Sequence, residues 1–240
     1  MSEIISQQRV LWDGYDLSKS VFSFMISNQV EVNDDTTLGD ENRSNVPALR
    51  VPGIQVEGYY KTTDYDKALN ATIARENVLI SVLTSISSGT LAWFMNAVHA
   101  SYEPVKGEVG KNASFSAGGM SHKSPLVRGV LLGYSESLTG LGYSPSSQLG
   151  AVATGQKLYA GLHVFGINNS GGDTLNVTIE SDDNSGFTSK ADRIVFDQMT
   201  NIGSQYKTLD GPVTDIYFRS KNTPAGTTPS FKAAILLGIM

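Results

Sequence analysis

The chain has no cysteine. That removes disulfide frameworks, thiolate metal sites and cysteine nucleophiles together, and it fits a reducing compartment. No stretch reaches the ~18 apolar residues of a membrane span. The first residues, MSEIISQQRVLW, lack the apolar core of a signal peptide, so no membrane partner is expected. No run of Lys and Arg exists, and the formal net charge is −5. A surface that grips phosphate by counterion release is therefore not expected. The three histidines, His99, His122 and His163, fall in no HxH or HxxxH spacing and read as structural. No phosphate-cradling GxxxxGK[ST] occurs, and no Gly-x-Ser-x-Gly with a plausible triad. A nucleophile, a base and an orienting group cannot be assembled. The expectation is a protein that is not an enzyme, with no catalytic residue, no cofactor and no metal.

What is present is a β pattern. The chain has 240 residues at 40% hydrophobic content, enough for a real core in one or two domains. Twenty-four glycines, with abundant Ser and Thr between short apolar runs, predict many strands and turns. Val10–Trp12 with Asp13-Gly14 reads as a strand and tight turn. Phe22, Phe24 and Ile26 alternate with Ser23, Met25 and Ser27, the period of a half-buried strand, and Val30 and Val32 extend it. Ile54, Val56, Gly58 and Tyr60 form the return strand. Val78–Leu83, Leu91–Tyr102, Ala113–Met120 and Val127–Tyr134 complete a first half. Tyr65–Arg75 is the one good helix: Thr63 or Asp64 can cap it, and Tyr65, Leu69 and Ile73 make its apolar stripe.

Between Val32 and the Ile54–Tyr60 strand lies a polar stretch of about 18 residues, far above the usual connection of about 4–6. A long loop in a chain with no catalytic motif points to contact with a neighbour. The candidate contact residues are Asp34, Asp35, Thr36, Thr37, Leu38, Gly39, Asp40 and Arg43, followed by the apolar Val46, Leu49 and Val51.

Composition shifts at Ser135–Gly155, SESLTGLGYSPSSQLGAVATG, which reads as a Gly/Ser-rich linker. The expected division is a β domain over 1–134, a linker over 135–155 and a C-terminal β-sandwich over 156–240. Strands are expected at Leu158–Ile167, Leu175–Glu180, Arg193–Phe196, Val213–Ser220 and Phe231–Ile239. The acidic segment Asp182–Gly186 lacks the EF-hand spacing of Gly and Glu and reads as a turn. Tyr59, Tyr60, Tyr102, Tyr143, Tyr206, Tyr217 and the two tryptophans, Trp12 and Trp93, sit mostly in strand patterns. Core burial explains them, although aromatic strands on a sandwich also suit a carbohydrate-binding module.

Residues 10–134 resemble the tail tube (major tail) proteins of long non-contractile-tailed bacteriophages. The resemblance is carried by Leu17-Ser18 before the Phe22–Val32 strand and by Asp35-Thr36-Thr37-Leu38-Gly39-Asp40 with Arg43. Pro47-Ala48-Leu49, the strand ending Gly58-Tyr59-Tyr60, and the short helix after it complete it. The second half, LHVFG…LNVTIESDDNSGF…DIYFRS, is similar to β-sandwich domains appended to phage structural proteins. The resemblance implies an all-β fold: a tail-tube-like β-sandwich or barrel with one short flanking helix, plus a C-terminal sandwich. It implies homohexameric rings stacked into a tube, a long loop reaching between rings, other tail proteins as partners, and DNA passing through the lumen without sequence-specific binding. The location implied is the virion tail, assembled in the bacterial host cytoplasm. A capsid decoration protein and a carbohydrate-binding β-sandwich module are the alternatives.

Overall fold

In the computed structural model, residues 8–37, 41–61, 64–168 and 172–240 are described. Sixteen strands and one helix are assigned among them. In order these are β1 (Arg9–Trp12), β2 (Tyr15–Asp16), β3 (Val21–Asp34), β4 (Asn45–Tyr59), α1 (Asp64–Thr72), β5 (Val78–Leu83), β6 (Leu91–Lys106), β7 (Ser114–Ser121) and β8 (Val127–Leu138). The rest are β9 (Gly142–Tyr143), β10 (Ser147–Gln148), β11 (Lys157–Ile167), β12 (Thr174–Asp182), β13 (Ala191–Val195), β14 (Gly203–Asp210), β15 (Tyr217–Ala225) and β16 (Phe231–Ile239). The fold is all-β, as the alternation predicts.

An eleven-stranded antiparallel sheet runs β14-β11-β16-β8-β6-β5-β1-β2 and carries β7, β4 and β3 as a branch from β6. The branch arises because β6 is long. Its start, Leu91–Phe94, pairs β8, and its later part, from Ala97 to Lys106, pairs β7. Five strands form a second sheet, β10-β15-β12-β13 with β9 beside β15.

The sheet folds over on itself, which explains the continuous apolar runs. In β5, Val78, Ile80 and Val82 face one cluster with Trp12, Ile54, Val56 and Phe115. Leu79 and Leu83 face a second cluster with Phe94, Leu131, Ala234 and Leu236. In β16, Ala233, Ile235 and Leu237 face a third, shared with Val177, Ile179 and Phe218 of the second sheet. Burying both faces removes the polar positions that a half-exposed strand needs.

The expected linker does not interrupt the main sheet. β16 pairs β8 on one edge and β11 on the other. Leu132 of the first half lies in the sandwich core, and Leu236 of the second lies against Leu79 and Phe94. Local composition marked the connection, while the long-range pairing left no mark in local periodicity. The polar segment does supply short strands: β9 and β10 both dock on β15.

Three other local expectations are corrected. The helix stops at Thr72 rather than Arg75. Ala74 takes a φ of 62° and its N–H bonds the carbonyl of His99 at 2.8 Å, so the helical ladder cannot continue. Thr63, a candidate cap, lies outside the described residues. The strand expected at Val213–Ser220 sits at Tyr217–Ala225, and Val213 makes an isolated bridge to Val152. β14 was not expected, because GSQYKTLD offers little apolar alternation.

Candidate functional site: a projecting β-hairpin

β3 and β4 pair from Val21↔Gly58 out to Asp34↔Asn45. β4 also pairs β7, but only over Gly53–Tyr59. Beyond Asn28 and Pro52 the hairpin is therefore a two-stranded ribbon, extending about 20 Å at ~3.3 Å per residue. A register shift between Val30 and Val32 marks a bulge in it. Two strands alone are marginal in water, and this ribbon is solvated on both faces. Val30 is 42% exposed, Val32 59%, Val46 45% and Leu49 76%. The outer edge of β3 has no partner strand among the described residues.

This corrects the predicted loop. The connection itself spans 35–44, and Val46, Leu49 and Val51 belong to β4, opposite β3. Pro47 and Pro52 and the bulge blurred the alternation. Proline is found on edge strands, and from Pro52 toward the tip β4 pairs β3 alone among the described residues. Val46 and Leu49 are exposed and Val51 is half-buried.

The tip is held by Asp34. Its Oδ1 accepts the Thr36 N–H at 3.0 Å and the Thr36 hydroxyl at 2.5 Å, and its Oδ2 accepts Arg43 Nε at 2.8 Å. The hydroxyl bond from Thr36, then its N–H and the Arg43 guanidinium, hold the Asp34 carboxyl below its usual range. The Asp35 N–H donates to the Ser44 carbonyl at 3.1 Å, closing the turn. Thr37 is exposed and makes further contacts. Leu38, Gly39 and Asp40 lie outside the described residues. Asp34, Thr36 and Arg43 are thus brought together, while Leu49 and Val51 stand further down the ribbon.

A second feature escaped the sequence reading. The outward face of the β3-β4-β7-β6 wing is rich in small, polar and acidic residues. On β3 it shows Ser23, Met25 and Ser27, and on β4 Gln55 and Glu57, opposite Gly118 and Ser116 of β7. β6 adds Ser101 and Glu103, and the Ser116 hydroxyl donates to Glu103 Oε2 at 3.2 Å. A Cβ on Gly118 would meet the Ser101 hydroxyl and the Gln55 side chain, which places all three on this side. Further along β6, the exposed Lys106 stands opposite Ser114. Ser23-x-Met25-x-Ser27 and Ser114-x-Ser116-x-Gly118 were the visible signal: small residues at outward positions of period-two strands.

The root of the wing is joined to the rest of the chain by a polar clasp. β1 and β2 turn through Asp13-Gly14, with φ of 46° and 82°, the left-handed pair that a two-residue hairpin requires. The Gly14 N–H donates to His163 Nδ1 at 3.3 Å, so the ring proton sits on Nε2, 2.8 Å from Ser81 Oγ. Burial pushes His163 down to about 3. Asp13 accepts Arg75 at 2.7 Å and Ser204 Oγ at 2.8 Å. His99 lies buried between the Thr72 hydroxyl at 2.9 Å and the Ser101 carbonyl at 3.1 Å. Both carboxylate oxygens of Asp182 accept backbone N–H groups, from Asn184 at 3.0 Å and Ser189 at 2.7 Å, which is the turn chemistry expected there.

No protein-family profile matches the sequence, and no curated protein matches it. Solved structures with similar shape do exist. The SPP1 Dit protein, described as a paradigm of the hub adsorption apparatus in phages infecting Gram-positive bacteria, aligns over 98% of this chain and 100% of its own, at 12% identity and a TM-score of 0.38. A chain of the virion of a native gene transfer agent particle aligns over 49% of this chain and 94% of its own, at 18% identity and TM-score 0.37. A chain of the sheath–tube complex of an extracellular contractile injection system aligns over 51% and 89%, at 14% identity and TM-score 0.36.

Proposed function

We propose that this chain is a structural, non-enzymatic subunit of a phage tail, and specifically the tail tube subunit, which assembles with copies of itself into stacked rings. The observation that carries this reading is the β3–β4 ribbon. It has solvent on both faces, four exposed apolar side chains and an outer edge with no partner strand among the described residues. Long exposed hydrophobic edges are aggregation templates unless they are covered or paired. Main-chain pairing with a neighbour would supply the missing hydrogen bonds, and Val32, Val46 and Leu49 would supply the apolar contact. Asp34, Asp35, Thr36, Thr37, Leu38, Gly39, Asp40, Arg43, Val46, Leu49 and Val51 are the proposed contact residues between subunits or rings.

In this reading the Ser, Gly and Glu face of the wing lines the lumen. On this face Glu57 and Glu103 outnumber the basic Lys106, so phosphate meets no net counter-charge and DNA slides past without being held. Homohexameric rings, other tail proteins as neighbours and a virion location belong to the same proposal. Negative-stain microscopy of the purified protein tests it. Rings of six or tubes are expected; a protein that stays monomeric at high concentration, or that binds only to capsids, contradicts it.

A further inference from the structure

A groove of about 490 Å³ opens where the ribbon leaves the body, between the foot of the ribbon and the turn that joins β7 to β8. Leu49, Pro52, Leu126 and Met240 give it apolar walls. Leu49 and Met240 are exposed there. The volume falls in the range of roughly 300–1,000 Å³ typical of well-formed binding sites. The groove is continuous with the proposed contact surface, because Leu49 and Val51 line both.

Its charged residues are Arg50, Lys123 and Glu31, all exposed. Neither Arg50 nor Lys123 enters an ion pair among the described residues. The groove therefore carries more positive than negative charge. The ribbon tip carries the opposite balance. Asp34, Asp35 and Glu41 stand there against Arg43, which already pairs Asp34. The Asp35 and Glu41 carboxylates enter no ion pair among the described residues. Val32 and Val46, close to them, are exposed. Tip and groove thus match in charge and in apolar surface. They cannot meet within one chain, because the ribbon runs about 20 Å outward from Asn28 and Pro52, and the groove lies at its foot.

Resting on the assembly reading above, we infer that this groove is the seat for the ribbon tip of a second copy of the chain. Asp35 and Glu41 of one copy meet Arg50 and Lys123 of the other, and Val32 and Val46 meet the apolar walls. Complementary charge of this kind steers the encounter and fixes its register. The contact joins two different patches, so each copy offers one tip and receives another. Such head-to-tail contacts close into rings or run on as helical filaments; they do not stop at a two-fold dimer.

The lack of cysteine makes the contact directly readable. Full-length Glu41→Cys and full-length Lys123→Cys are mixed and oxidised at low concentration. Lys123 lies on the body side of the groove, off the ribbon, so ribbons paired edge to edge would not bring it to Glu41. The mixed disulfide dimer should form at least about tenfold faster than one between Glu41→Cys and Val109→Cys, a fully exposed site on the β6–β7 turn. Reversing the groove with Arg50→Glu and Lys123→Glu should raise the concentration needed for assembly at least about tenfold. Adding Asp35→Lys and Glu41→Lys to that chain should restore it. If the wild type assembles but cross-linking is no faster than the control, or the reversed groove assembles like wild type, the inference is overturned and the assembly reading stands. A wild type that never assembles removes that reading, and the cross-linking rate still decides whether tip and groove meet.

Discussion

β16 and the outer half of β3 are built on the same period-two alternation and have opposite fates. β16 is paired on both edges and buried on both faces, with Leu236 and Leu237 fully inaccessible. β3 beyond Asn28 is paired on one edge and solvated on both faces. Hydrophobic alternation alone does not say whether a strand serves its own chain's core or another's. The number of paired edges does. A strand with two partners belongs to the subunit, and a strand with one partner and exposed Val and Leu is left over for a neighbour.

The comparison breaks most severely if residues 151–240 are removed. That strips β16 and β11 from β8 and uncovers Leu79, Phe94 and Leu131. The expected product is insoluble or molten by circular dichroism and dye binding; a cooperative melt would separate the two halves. At single-residue scale, Leu236→Ala should cost about 2–5 kcal/mol of stability in urea unfolding. By contrast, the triple change Val46→Ser, Leu49→Ser and Val51→Ser falls on exposed or half-buried positions. It should leave the subunit folded, with each exposed site contributing within about 0.5 kcal/mol, and should abolish polymerisation. An unfolded triple variant would move the ribbon into the subunit core.

Acid should loosen the buried junction before it affects the ribbon. The His163 ring is neutral when folded, pushed down to about 3 by burial, against an ordinary value of 6.5. The unfolded chain therefore binds a proton that the folded chain refuses. Stability is unaffected above pH 6.5 and falls as pH drops toward 3, at about 1.4 kcal/mol per pH unit per histidine. Burial pushes His99 down too, in the same sense. Urea midpoints between pH 7 and 5 should fall, and His163→Gln should flatten the slope; a flat wild-type profile contradicts the neutral clasp. The smallest effect is at the tip. Arg43→Ala breaks an ion pair with Asp34 at 2.8 Å in which both side chains are solvated. No measurable change in subunit melting temperature is expected.

Much of this was legible in advance where periodicity and burial agree. Phe231–Ile239 was placed to the residue, and Leu175/Val177/Ile179 sits inside β12 with those three side chains facing the sandwich core. The Asp13-Gly14 turn was readable because Asp-Gly is among the few dipeptides that suit two left-handed residues. The start of β4 was not legible: Pro47, Pro52 and the bulge hid a strand inside an apparent loop. The joining of the two halves through β16 was invisible for another reason. Strand partners separated by a hundred residues leave no trace in local pattern. At the hairpin, the polar composition marks Asp34 and Arg43 as tip residues, and the structure shows them bonded to each other; the Ser/Glu face gives no such signal, because small outward residues look like ordinary solvated positions.

Hydrogen exchange over residues 29–51, measured on the isolated subunit and on the assembled particle, tests the central claim most directly. The account predicts rapid exchange across this ribbon in the monomer, slow exchange in the assembly, and no comparable change in β16, which is already protected. Equal protection of the ribbon in both states would contradict it, because the hairpin would then be stabilised by its own subunit and not by a neighbour.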